Sequence, residues 1–292
     1  MRIAAAQLDA ALGLPGVRDG AAAADAIARA ATEHAADVVL LPEYSSGWAS
    51  PLTPDLVTSE DGPFLAAVRA AAARHGVTVV VGVVLPGPDA GDGAVRARNV
   101  TVVVGPDGVE LGRYTKAHLY DAYGSRESDL LDAGDPAGDG APLTVLVPTA
   151  SGPARLGVLT CYDLRFPEPF RALMDDGDSR PDAVVLGAAW AAGEGKAEQL
   201  RVLARARAIE NTVYVAIASQ PGDGRTGGSV VVDPAGGVLD EADASGVPAG
   251  PPDGPTFAVA DVDPARLAAV RESSPVLTHR RYGVHPLGTD AD

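Results

Sequence analysis

Residues 154–169, ARLGVLTCYDLRFPEP, decide how the rest of the chain is read. Leu156 to Thr160 is a short apolar strand pattern that runs into Cys161 and stops. Tyr162 and Asp163-Leu164-Arg165 follow, and then Pro167-Glu168-Pro169, which suits a first helical turn because proline there gives up no needed N–H. A cysteine at such a strand-to-helix bend stands at the edge of a sheet, near backbone N–H groups that favour negative charge. That is the place for a thiolate nucleophile. A buried structural cysteine is the competing reading of the same residue, and the charged sequel Asp163, Arg165, Glu168 argues against it.

Outward from this bend the chain alternates strand and helix patterns. Upstream, Arg2 to Leu8 reads as a strand, Ala21 to His34 as an alanine-rich helix, Asp37 to Leu41 as a buried strand, Pro63 to His75 as a helix and Val77 to Leu85 as a β-branched strand. Asn99 to Val104 and Val109 to Tyr114 flank Gly105-Pro-Asp-Gly108 as a hairpin. Asp121 to Pro142 reads as a long functional loop. Downstream, Pro167 to Asp175 is a predicted helix, Ala183 to Leu186 a strand, Lys196 to Glu210 a helix and Val213 to Ser219 a strand. Ser229 to Asp233 pairs with Val238-Leu239 through a turn, Phe257 to Val262 is the last strand and Pro264 to Glu272 the last helix. Mixed βα units and hairpins predict a layered α/β fold, a single domain over residues 1–292 with no linker and no fixed-period repeat.

Composition narrows the function. One cysteine allows no disulfide within the chain and suits a reducing compartment. The N-terminal apolar run is broken by Gln7 and Asp9, too early for a signal sequence, and Val77 to Leu85 is far short of a membrane span, so the expectation is a soluble cytoplasmic protein. Thirty-nine acids against 23 bases, a net charge of −16, disfavour nucleic acid and anionic membrane as partners. The five histidines show no metal-ligand spacing, so no metal is expected. Gly222 to Gly227, GDGRTG, has the glycine spacing of a pyrophosphate cradle, but a strand pattern follows where a helix N-terminus is required. No cofactor is expected. Asn99-Val-Thr101 fits a glycosylation sequon without a secretory context.

Glu43 and Lys116 each follow a strand, as Cys161 does, and open α/β sheets carry ligand groups at strand carboxyl ends. Taken singly, Glu43 is more often a turn or cap residue and Lys116 a solvated lysine. Together they fit one chemistry: a carboxylate to take the thiol proton, an ammonium to lower the energy of the anion, and a sulfur to attack a carbonyl carbon, with the backbone N–H of Tyr162 as a second oxyanion donor. Arg165, four residues after the nucleophile, is either a bidentate anchor for a substrate carboxylate or an ion-pair partner of Asp163 or Glu168. Tyr44, Tyr120, Tyr162 and Trp190 are candidate pocket walls. Arg205, Arg207, Glu210 and Asn211 read as an internal network, and His118 as a residue that orients the loop after Lys116.

The segments VVLLPEY, GRYTKAHLY and GVLTCYDLRFPE, in this order, resemble the three signature blocks of the carbon-nitrogen hydrolase family, the nitrilase superfamily. RARAIENTVYVA (205–216) and GGSVVVDPAGGVL (227–239) extend the resemblance over nearly the whole chain. It implies a four-layer α-β-β-α sandwich, homodimers or larger assemblies, and a Glu43–Lys116–Cys161 triad supported by a second glutamate at Glu127. CYDLRFPE resembles the amidase branch, the ω-amidase and deaminated-glutathione amidase group, although Gln199-Leu200 stand where many of those amidases carry His-Trp. The expected substrate is a small carboxylated amide. Carbamoyl compounds, nitriles and transfer of the acyl group to an amine remain alternatives with the same triad, and a Cys–His hydrolase or a catalytically silent binding protein is the alternative of another class.

Overall fold

The computed structural model describes residues 1–88, 96–175, 177–242 and 254–287. Its elements are β1 (Arg2–Gln7), α1 (Ala21–His34), β2 (Val38–Leu40), α2 (Pro63–His75), β3 (Thr78–Pro86), β4 (Ala97–Val104), β5 (Glu110–Thr115), β6 (Leu143–Val147), β7 (Ala154–Thr160), α3 (Pro167–Ala172), β8 (Ala183–Ala188), α4 (Lys196–Asn211), β9 (Tyr214–Ser219), β10 (Val230–Val232), β11 (Val238–Glu241), β12 (Thr256–Asp261) and α5 (Pro264–Ser273). Two six-stranded sheets form, in the orders β12-β1-β2-β3-β4-β5 and β11-β10-β9-β8-β7-β6. Read from β12 and from β6, the pairings run antiparallel, parallel, parallel, antiparallel, antiparallel in both sheets. The topology therefore repeats although the sequence shows no period.

Side-chain alternation explains the layering. In β1, Ile3 and Ala5 join the core between the sheets, while Ala4 and Ala6 join the core under α1 and α2. Val38 and Leu40 against Val39 and Leu41 repeat the same division. α1 turns Ala23, Ala26, Ile27 and Ala30 inward at helical spacing, and α2 starts on Pro63 and ends at a left-handed Gly76. On the far side, Phe170 of α3 and Leu200, Ala204 and Ala208 of α4 pack on the second sheet. Four layers result, α-β-β-α, as expected. No helix among the described residues is long and apolar enough to cross a membrane.

Several elements differ from the prediction. β6 was read as no element at all: its Leu-Thr-Val-Leu-Val run is short, half-exposed and enclosed by Pro142 and Pro148, so only pairing with β7 makes it a strand. β7 begins two residues earlier than predicted, at Ala154, for the same reason. α3 stops at Ala172, and turns replace the predicted last helical turn to Asp175.

The two sheets meet tightly at one point. A Cβ on Gly82 of β3 would lie 2.7 Å from the Cα of Glu43, and one on Gly187 of β8 would lie 2.6 Å from its amide nitrogen. The backbone of Glu43 is thus clamped between a glycine of each sheet. Gly187→Ala forces that backbone to move and is expected to cost roughly 1–3 kcal/mol, as overpacking of a filled core does; urea unfolding measures it.

Candidate active site

β2 delivers Leu41-Pro42-Glu43 into the space between the sheets, and Glu43 is buried there. Its Oε1 accepts hydrogen bonds from Lys116 Nζ and Asn99 Nδ2, both at 2.8 Å, and its Oε2 accepts from the Ala189 N–H at 3.0 Å. β5 delivers Lys116, whose ammonium is fully buried and also donates to Glu127 at 3.0 Å (Oε1) and 2.8 Å (Oε2). Glu127 is fixed in turn by the Tyr44 hydroxyl at 2.6 Å and the Tyr120 N–H at 2.8 Å. β7 delivers Cys161, the first residue of a 3-10 turn to Arg165, with φ of 42°. A non-glycine residue held in the left-handed region is strained, and such strain gathers at functional sites. The thiol lies against the Glu43 carboxylate. Glu43, Lys116, Cys161 and Glu127, spread over more than a hundred residues of sequence, come together as one cluster.

Burial is the main cause of the electrostatic shifts. It raises the Glu43 carboxyl above the ordinary carboxylate range, with Lys116 pulling the other way and Glu127 reinforcing the rise. It raises the Cys161 thiol well up, and the neighbouring Glu43 adds to that, so the resting sulfur is S–H. For Lys116, desolvation is the largest single influence and opposes the charge, but the carboxylates of Glu127 and Glu43 overcome it and hold the ammonium charged. A resting thiol beside a carboxylate of raised basicity is the arrangement that general-base activation needs.

Behind the cluster stand residues that the sequence reading did not assign. Asp163 is fully buried and accepts from the Thr160 N–H (2.9 Å) and the Tyr114 hydroxyl (2.8 Å), while His118 Nδ1 lies 2.7 Å from its other oxygen. It ties the turn of Cys161 to the strand and loop of Lys116. The Thr160-x-x-Asp163 spacing of a capping box was the available signal. The Thr101 and Thr160 hydroxyls, 2.7 Å apart, join the sheets beside it. Gln220 donates to the Glu43 carbonyl at 2.6 Å and accepts from Arg225, which is buried, bonded to Asp9 at 3.1 Å and stacked 5.5 Å from the Trp48 ring centre. The GDGRTG segment is therefore a brace for Glu43, and β10 follows it where a phosphate cradle would need a helix.

Comparison with known proteins bears on the family. The carbon-nitrogen hydrolase family profile matches residues 2–272. The chain belongs to the carbon-nitrogen hydrolase family. A hydrolase of Mycobacterium tuberculosis is 33% identical to it over 299 residues, covering 96% of this chain and 95% of that protein. The deaminated glutathione amidase of Escherichia coli O157:H7 is 34% identical over 222 residues, covering 76% and 75%. The amidase of Nesterenkonia sp. AN1, solved as a double mutant in complex with acrylamide, superposes with a TM-score of 0.71 at 27% identity, covering 96% of this chain and 94% of that one.

In this carbon-nitrogen hydrolase a cavity of about 830 Å³ opens onto Glu43 and Cys161, with Tyr120, Tyr162, Arg165 and Trp190 among its walls. Tyr44 also lines it, but its hydroxyl is committed to Glu127. Arg165 pairs with neither Asp163 nor Glu168: its Nη2 donates to Gln199 Oε1 at 2.8 Å, and its guanidinium lies 4.9 Å from the Trp190 ring centre. Tyr162 takes the second position of the 3-10 turn, where a backbone N–H has no acceptor within the turn. His118 stacks on Phe166, ring centres 3.9 Å apart, and is not among the cavity walls. The expected network on α4 holds for Arg207, Glu210 and Asn211, whereas Arg205 turns away to the Gly236 carbonyl.

Proposed function

We propose that this carbon-nitrogen hydrolase is an amidase that cleaves a small carboxylated amide through a cysteine thioester. The observation that carries the reading is the meeting of Glu43, Lys116 and Cys161, with Glu43 and Cys161 on the cavity wall and Lys116 buried behind Glu43. Glu43 takes the thiol proton as the sulfur bonds to the amide carbon. The carbonyl oxygen becomes an oxyanion, facing the Lys116 ammonium and the Tyr162 N–H; one such donor contributes ~3–4 kcal/mol in comparable sites. The C–N bond then breaks and Glu43 returns the proton to the departing nitrogen, which leaves as ammonia. The same carboxylate next takes a proton from water, whose oxygen attacks the thioester. The thiol is regained as the carboxylic acid product leaves. Glu127 holds the Lys116 ammonium through both of its carboxylate oxygens. The amidase names of the Escherichia coli and Nesterenkonia relatives support amides as the substrate class. Arg165 supports the carboxylate: its guanidinium is on the cavity wall with a neutral amide partner and no carboxylate partner among the described residues.

Cys161→Ala and Glu43→Gln should each abolish ammonia release from ω-amides, whereas His118→Ala should keep activity within roughly tenfold, since a single oriented neighbour acts only indirectly. A dead His118→Ala with an active Glu43→Gln would replace the triad by a Cys–His pair. Because Glu43 must be ionised to accept the proton and burial raises its pKa, kcat/KM should fall on the acid side at a pH above that of an ordinary glutamate, about 4.3. A pH–rate profile with its acid limb at or below that value contradicts the assignment. Arg165→Ala should raise KM for carboxylated amides by about tenfold and leave neutral amides unchanged; steady-state kinetics on the matched pair checks it.

A further inference from the structure

Among the described residues, the rim of the cavity carries two cations without a carboxylate partner. Arg165 is one. Lys196, the first residue of α4, is the other: its ammonium sits 3.5 Å from the ring centre of Tyr123 and forms no ion pair among the described residues. In a chain with 39 acids against 23 bases, two such cations on one cavity are a notable placement. Arg126, also on the rim, differs, because it pairs with Asp129 at 3.5 Å. The exposed acids Glu194 and Asp223 share the rim and pair with neither Arg165 nor Lys196.

Trp190 touches both residues, Arg165 through its guanidinium and Lys196 through its backbone. Arg165 lies over the face of Trp190, and the Trp190 indole N–H donates to the Lys196 carbonyl at 3.0 Å. An aromatic track leads from one end to the other. Tyr162, next to Cys161, meets Tyr120 edge-on at 4.9 Å, and Tyr120 stacks with Tyr123 at 6.5 Å, beneath the Lys196 ammonium. A cation on an exposed ring is held by only ~0.5–1 kcal/mol, so an arriving carboxylate displaces it easily.

We propose that Lys196 forms a second anion subsite at the mouth, so that the ligand carries two carboxylates, one at Arg165 near the reacting sulfur and one at Lys196. This rests on the reading of Arg165 as the substrate's anchor. Tyr123 and Trp190 then define the hydrocarbon or peptide-like span between the two charges.

The test is a binding measurement, so it does not depend on turnover. Calorimetry on the Cys161→Ala protein compares straight-chain dicarboxylates, glutarate to suberate, with monocarboxylates of equal length. At one length the dicarboxylate should bind about tenfold more tightly, with a gain that shrinks as salt is added. Lys196→Met in the same background should erase that gain and leave monocarboxylate affinity unchanged, and Lys196→Arg should restore it. Equal weakening of both acids by Lys196→Met would make Lys196 a prop for Tyr123 and overturn the proposal, as would the absence of any dicarboxylate gain. Arg165→Ala separates the two readings: unchanged monocarboxylate affinity in that variant overturns the anchor itself, and with it the pairing of subsites.

Discussion

Everything at the site depends on one buried ammonium between two buried carboxylates. Lys116 donates to both Glu43 and Glu127 with no water-exposed surface of its own. An ionised group taken out of water costs several kcal/mol unless its partners are close and well aimed, and removing one partner of such a set is far more disruptive than never having had it. Two acids against one base leave the cluster with a surplus negative charge when both are ionised. Burial first, and the neighbouring carboxylates after it, explain why Glu43 holds its proton more readily than a surface glutamate and why the sulfur rests uncharged. Passing a proton from sulfur to Glu43 moves negative charge from one atom of the cluster to another and changes its total by nothing. In the proposed reaction the activating step therefore avoids creating new charge in a medium that solvates charge poorly.

The fold supplies this cluster by repetition. Both sheets have three neighbouring parallel strands, and the groups that matter sit just beyond strand carboxyl ends: Glu43 after β2, Lys116 after β5, Cys161 after β7, and the Ala189 N–H after β8. Stacking the sheets face to face brings the four ends into one place. Gly82 and Gly187 clamp the Glu43 backbone within that contact, and their strand partners Thr101 and Thr160 bond beside it. Strand ends therefore position the groups to which the proposed reaction assigns chemistry, where small misplacements are costly.

What could be read from the sequence follows from how far each signal reaches. Strands such as Asp37 to Leu41 and hairpins such as that around Gly105-Pro-Asp-Gly108 declare themselves through neighbours a few residues apart, and the structure has them. Glu43, Lys116 and Cys161 were visible because each follows an apolar run and because their types suit one reaction. β6 was missed because an edge strand of five residues owes its form to its partner. Asn99 and Gln220 were missed for a stronger version of the same reason: Gln220 reaches the Glu43 carbonyl across 177 residues, and nothing near it in sequence tells of that. Asp163 lay in plain view only as one alternative partner of Arg165, since an acid two residues before an arginine suggests a pair, whereas the structure bonds it to the Thr160 N–H and gives Arg165 to Gln199.

Cys161 is the chain's lone sulfhydryl, and it lies on the cavity wall. A thiol-directed label therefore has one destination in the folded molecule. The mass added to the intact polypeptide counts competent centres directly, without engineering away background cysteines. A covalent acyl adduct on the sulfur would appear in the same spectrum as a single increment, whose size is that of the group left behind when the amine departs.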